Sequence, residues 1–225
     1  MRVAVFASSK GGVGKSTLTA AMAVEAARNG NKVGIFDFDP IQNVARWFDA
    51  RTRNASDNQL TLIDRITTVD EAGEQARRLK LDWLMIDTPP ASLRRIQSAV
   101  ELADLVVLPL RPSPLDATGM GMIFELCDLS RRRQLLVLNG TNAGSAMTIG
   151  ARHYLQSHAA DLWDGEISSR ELHALAMMSG STAAEFDPAS PAVDEIRKLW
   201  NSIDNMTRAA VRNERRRKAK LSGRT

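Results

Sequence analysis

At 225 residues, 44% hydrophobic and 25% charged, the chain has the composition of one globular domain long enough to bury a core without staples. A single cysteine, Cys127, excludes an internal disulfide framework and fits a reducing compartment, and no apolar run is long enough for a membrane span or a secretory h-region. The formal charge of +4 is unevenly placed, because residues 208–225 hold eight Lys or Arg against Glu214 alone, leaving the body before them with 22 basic and 25 acidic side chains.

The first apolar run, residues 2–7 (RVAVFA), reads as a buried strand that passes into a glycine-rich loop. Residues 15–28 follow with a helical pattern that stops at Asn29-Gly30. A second strand is predicted over 32–37 (KVGIFD), then a helix over 69–79, a strand over 83–87 (WLMID) and a helix over 93–103. Strands at 105–109 (LVVLP) and 135–139 (LLVLN) enclose a helix at 120–132, and the remainder, 149–158, 169–178 and 191–220, is mainly helical. Near-continuous rather than alternating apolarity is what parallel strands covered on both faces require. The β-α alternation therefore predicts an α/β fold with a doubly wound, mostly parallel sheet and helices on both faces. One domain over 1–207 and a basic extension over 208–225 are expected, with Ile196, Leu199, Trp200 and Ile203 forming a core stripe.

The loop after the first strand reads Ser8-Ser9-Lys10-Gly11-Gly12-Val13-Gly14-Lys15-Ser16-Thr17 and opens a helix. Its three glycines let successive backbone N–H groups turn inward onto phosphate oxygens, since no Cβ blocks the approach. The helix that follows offers free N–H groups and the positive end of its dipole to the same anion. Lys15 supplies a point charge to the outer phosphates, and Ser16 a hydroxyl to Mg2+. The ordinary pattern has glycine where this chain has Ser9, and here a second lysine, Lys10, stands at the mouth of the loop.

Two predicted strands end in acids: Phe36-Asp37-Phe38-Asp39-Pro40 and Met85-Ile86-Asp87-Thr88-Pro89-Pro90. Carboxylates at strand C-termini lie at the open edge of the sheet, where α/β ligands bind. Phosphoryl transfer needs oxygen groups around magnesium and something to orient the attacking water. A lone Asp at a strand end also serves as a helix N-cap or turn former.

Lys10-Gly-Gly-Val-Gly-Lys-Ser-Thr resembles the deviant Walker A box of the ParA/MinD group of ATPases, and both acidic segments match that group's second box and Walker B. The likeness runs over roughly residues 2–205 and is closest to the small ParA-type partition ATPases without an N-terminal helix-turn-helix domain. It implies a P-loop NTPase fold and weak ATP hydrolysis to ADP and phosphate, stimulated by a partner. Lys10, Lys15 and Asp39 are the catalytic candidates, with Lys10 reaching across a homodimer and Asp39 positioning water. Residues Lys10 to Thr17 (Gly11, Gly12, Val13, Gly14, Lys15 and Ser16 between) would cradle ATP, and Ser16, Asp37 and Asp87 would support Mg2+. The base is expected against Asn139, Asp187 and Pro188, although Asn139 serves equally as a turn residue before Gly140.

The resemblance also implies an ATP-dependent homodimer that binds double-stranded DNA non-specifically, works with a ParB-like or other activating partner, and resides in the cytoplasm on the nucleoid. Arg152, Arg170 and the tail residues Arg212, Arg215, Arg216, Arg217 and Lys218 are the candidate DNA contacts, and Arg170 also stands beside Glu171 as a simple ion pair. The cargo would be a plasmid, a chromosome or a protein assembly. Two readings stay beside this one: a MinD-like membrane-surface regulator and a VirC1-like DNA-transfer ATPase. The tail has no apolar face of the kind a membrane-targeting helix needs, so no membrane partner is expected.

Overall fold

The computed structural model describes residues 1–54, 59–90, 92–113, 116, 120–158 and 161–222. Strands β1 (Arg2–Phe6), β2 (Val33–Asp37), β3 (Leu60–Leu62), β4 (Trp83–Asp87), β5 (Leu105–Leu110), β6 (Arg133–Thr141) and β7 (Ile167–Ser168) form one sheet in the order β3-β2-β4-β1-β5-β6-β7. Every pairing between them is parallel. The helices are α1 (Lys15–Arg28), α2 (Asn43–Asn54), α3 (Val69–Arg78), α4 (Leu93–Leu102), α5 (Gly121–Leu129), α6 (Ala146–His158), α7 (Glu171–Met178), α8 (Ala183–Phe186) and α9 (Pro191–Ser222).

The apolar strand runs divide their side chains between two cores, as the pleat demands. Ala4, Phe6, Ile35, Met85, Val107 and Val137 join α1, α2 and α9 on one face. Val3, Val5, Phe36, Ile86, Val106 and Leu138 join α3, α4 and α5 on the other. Burial on both faces is why these strands carry so few polar residues. Helix α1 is alanine-rich and buried almost all round, which lets it lie close against the sheet. Helix α3 begins at a capping box made by Thr68 and Glu71. Ile196, Leu199, Trp200 and Ile203 of α9 are all core residues, as their helical spacing predicts. Trp200 packs on Trp83 with ring centroids 5.2 Å apart, and the Arg2 guanidinium covers Trp83 at 4.1 Å.

Strand order places β1 between β4 and β5, while the chain leaves β1 for β2 on one side and later returns to β5 on the other. The crevice at the carboxyl end of β1 is therefore the switch point where ligands of such sheets bind. The strand and helix positions read from the sequence stand, with ends moved by a few residues at most. Strands β3 and β7 and helices α2 and α8 are additions to that reading.

Candidate functional site

The loop from Ser8 to Gly14 fills the crevice above β1. Gly12 and Gly14 have φ of 73° and 93°, the left-handed region that a side chain disfavours. Gly14 precedes α1 with no side-chain cap, so the first-turn N–H groups of the helix face the crevice uncommitted. Three loop carbonyls are held from outside or across the loop. The Lys15 ammonium donates to the Lys10 carbonyl at 3.2 Å. Arg111 donates from Nε and Nη2 to the Gly12 carbonyl at 3.1 and 2.8 Å. Asn139 donates from Nδ2 to the Val13 carbonyl at 2.6 Å.

The ends of three strands bring charge to the same place. Lys15 is buried, which lowers its pKa against the pull of Asp87 and Asp39. Asp87, at the end of β4, is fully buried, accepts from the Ser16 hydroxyl at 2.6 Å and faces Thr19 Oγ1 at 3.4 Å. Burial pushes its carboxyl up to about 7, against the Ser16 hydrogen bond and the Lys15 charge. Asp39 is 7% exposed, accepts from the Ile41 N–H at 3.0 Å and lines the main cavity.

Asp37 is held by backbone donors. Its Oδ2 accepts the Val44 and Ala45 N–H groups at 2.8 and 2.9 Å, and its Oδ1 accepts the Asp39 N–H at 3.1 Å. It thus closes the first turn of α2, the N-cap alternative for an acid at a strand end. Burial raises its pKa while those backbone donors lower it. It still stands level with Asp87 in the β2–β4 register, so its charge bears on that site from behind.

Two cavities adjoin the loop and share Gly12, Gly14, Thr17 and Ala174. The larger, about 580 Å3, lies between the loop, Asp39, α2 at Arg46 and Trp47, and α7 at Met178. The smaller, about 210 Å3, lies between the loop, Arg111, Asn139, Ser169, Arg170 and His173. Asn139 lines the second cavity, with its amide nitrogen committed to the loop.

Asp187 and Pro188 line neither of these cavities. The Ala184 carbonyl accepts from Arg28, the last residue of α1, at 3.4 Å, whereas the phosphate loop is at the first residue of that helix. Fourteen residues of helix span roughly 20 Å. Asp187 Oδ1 accepts the Ala189 N–H at 3.1 Å instead, forming the turn into α9.

Lys10 forms an ion pair with Asp116 at 3.1 Å, and the other oxygen of Asp116 accepts the Arg111 N–H at 3.2 Å. Arg170 pairs with Glu195 at 2.8 Å rather than with its neighbour Glu171, and Glu195 also accepts from Ser168. Arg152 donates to the Trp163 and Gly165 carbonyls at 3.2 and 2.8 Å, tying down the segment before β7. Helix α9 carries its backbone through Arg212, Arg215, Arg216, Arg217 and Lys218, whose side chains lie outside the described residues. Sequence reasoning assigned no role to Arg111, Asp116 or His173. The available signal for Arg111 was its position one residue beyond β5, where strand-end loops line the crevice.

Ser16, Thr19 and Asp87 present oxygen to one another, the donor type that Mg2+ takes. Among the described residues no cluster of three His, Cys, Asp or Glu could hold a metal unaided. A buried carboxyl raised to about 7 beside a hydroxyl is a site that a cation would relieve.

Residues 4–216 match the family model for the CobQ/CobB/MinD/ParA nucleotide binding domain. The chain is 25% identical over 209 residues to the maintenance of carboxysome distribution protein A of Halothiobacillus neapolitanus, covering 88% of this chain and 94% of that one. It is 34% identical over 120 residues to the protein ParA of Rhizobium radiobacter, covering 52% of each. In fold it resembles the MinD cell division protein of Aquifex aeolicus, with a TM-score of 0.76 at 20% identity over 91% of this chain and 98% of that one. The chain belongs to the CobQ/CobB/MinD/ParA family of nucleotide-binding ATPases.

Proposed function

From that membership we propose that the chain is a ParA-like ATPase that dimerises over Mg-ATP, holds double-stranded DNA non-specifically in that state, and releases it when a ParB-like or other activating partner stimulates hydrolysis. The observation that carries this reading is the convergence of Lys15, Asp39 and Asp87 on the glycine loop at the switch point of the sheet. In it, the loop N–H groups and Lys15 bind the phosphates, and Ser16 and Asp87 hold Mg2+, with Asp37 behind them. Mg2+ supplies charge neutralisation to the phosphates. Asp39, held by the Ile41 N–H, orients the attacking water. The base enters the smaller cavity, beside Asn139.

Lys10 is the residue that makes the switch a two-subunit one. It stands at the rim, its side chain 39% exposed and paired with Asp116 at 3.1 Å, a partner it exchanges for a nucleotide on a second copy. Cargo positioning is supported by the carboxysome-distribution and ParA relatives. Among the described residues no helix is long and apolar enough to cross a membrane, and the basic end of α9 favours a polyanion such as DNA on the nucleoid. With Arg152 and Arg170 engaged in internal bonds, the tail cations are the DNA contacts this reading relies on most.

The test is retention of duplex DNA of unrelated sequences with and without Mg-ATP, over a salt series. Binding should need ATP and fall steeply with salt. K15A should lose ATP and DNA together, and D39A should remain DNA-bound with ATP while hydrolysing slowly. DNA binding that ignores ATP, or rapid turnover by D39A, overturns the reading.

A further inference from the structure

The glycine loop has its N–H donors aimed by something other than its own sequence. Gly11, Gly12 and Gly14 give it freedom to present either face of each peptide to the crevice. A trans peptide is planar, with its C=O and N–H pointing in opposite directions. Whatever fixes a carbonyl on one side therefore fixes the next residue's N–H on the other. The Gly12 carbonyl is fixed by two donors of Arg111, at 3.1 and 2.8 Å, and the Val13 carbonyl by Asn139, at 2.6 Å.

Arg111 is itself anchored. Its own N–H donates to Asp116 at 3.2 Å, and Asp116 reaches Lys10 with its other oxygen. One short segment after β5 thereby grips the loop at its mouth and at its middle. A rotated Gly12–Val13 peptide would turn a carbonyl oxygen toward the anion, replacing an attraction with a repulsion.

We propose that Arg111 is a positioning residue for the phosphate cradle, holding the Gly12 carbonyl outward so that the Val13 N–H faces the bound phosphates. This rests on the nucleotide-binding reading above and adds to it a residue outside the loop. Arg111 acts through the backbone, and its conjugate base or charge takes no part in the chemistry.

The experiment measures binding of two probes, Mg-ATP and Mg-tripolyphosphate, to the full chain as wild type, R111Q and R111M. Gln places its Nε2 where Arg has Nε, so it can donate to the Gly12 carbonyl without a charge. Met keeps much of the volume and donates nothing. Arg111 is exposed, so both variants should melt with the wild type, and a melting curve checks this. R111M should bind both probes on the order of 10-fold more weakly, the loss expected when the donor to one backbone carbonyl is removed. R111Q should stay within a few-fold of wild type for both.

Three results overturn the proposal. Wild-type affinity in R111M means the donor is not needed. Equal losses in R111Q and R111M mean Arg111 acts only as a charge. A loss for ATP with none for tripolyphosphate means it acts on the base or sugar through the smaller cavity. A wild-type protein that binds neither probe refutes the nucleotide reading itself, which keeps the two failures apart.

Discussion

Gly14 and Asn139 form a pair whose coupling can be worked out in advance. Gly14 has φ of 93°, and a Cβ built on it would lie 2.1 Å from Nδ2 of Asn139. That nitrogen cannot simply swing aside, because it donates to the Val13 carbonyl at 2.6 Å. Gly14→Ala therefore carries two separate penalties. The left-handed conformation costs a β-carbon-bearing residue about 1–2 kcal/mol, and expelling the amide forfeits a hydrogen bond of about 1 kcal/mol. The sum is about 2–3 kcal/mol for G14A, against about 1 kcal/mol for N139A alone. In the double variant the amide is already gone and only the backbone strain is added, so its cost is also about 2–3 kcal/mol. The cycle should show a favourable coupling of about 1 kcal/mol, read from urea midpoints of the nucleotide-free protein at constant slope. Additivity within roughly 0.5 kcal/mol would mean that Asn139 does not confront Gly14. A G14A variant as stable as wild type would refute the strained conformation as well.

Asp87 makes stability depend on pH in a stated direction. Its folded pKa is raised from 3.8 to about 7, so between those values the native chain binds more protons than the unfolded one. The stabilisation is complete below the unfolded pKa and is lost as pH rises through about 7, at up to about 1.4 kcal/mol per pH unit. Urea titrations at pH 5, 6, 7 and 8 without nucleotide should show this decline, and D87N should flatten it; parallel curves would contradict it. Asp116→Asn removes the charge that holds Lys10 while keeping an acceptor for the Arg111 N–H. The pair is partly exposed and worth about 0–1 kcal/mol, so stability should hardly change while ATP-dependent self-association strengthens by up to about fivefold in sedimentation. Weaker association would show that Asp116 presents Lys10 rather than restraining it.

The α/β architecture was legible because each core strand announces itself locally. Residues such as Val3 to Phe6 and Leu105 to Leu108 are apolar at consecutive positions, which only burial on both faces explains. Strands β3 and β7 have three and two residues, too few to show any pattern, and exist by pairing with β2 and β6. Helix α2 was not legible for another reason. Its start is made by Asp37 from the preceding strand, and its buried side is completed by contacts with a distant segment, where Trp47 donates to the Ser181 carbonyl at 2.9 Å and Arg51 pairs with Glu185 at 2.7 Å.

The same division holds at the site. The sequence by itself determined the glycine loop, Lys15 and Ser16 on the first turn of α1, and acids at the ends of β2 and β4, because all follow from short-range rules of backbone freedom, helix dipole and strand ends. The tertiary structure alone decided which acid faces Ser16 and which caps a helix. It also set Ala184 of α8 against the far end of α1, paired Arg170 with Glu195, and brought Arg111 and Asn139 onto the loop carbonyls. Those outcomes depend on groups separated by tens of residues along the chain, and no local pattern records where a carbonyl will meet its donor.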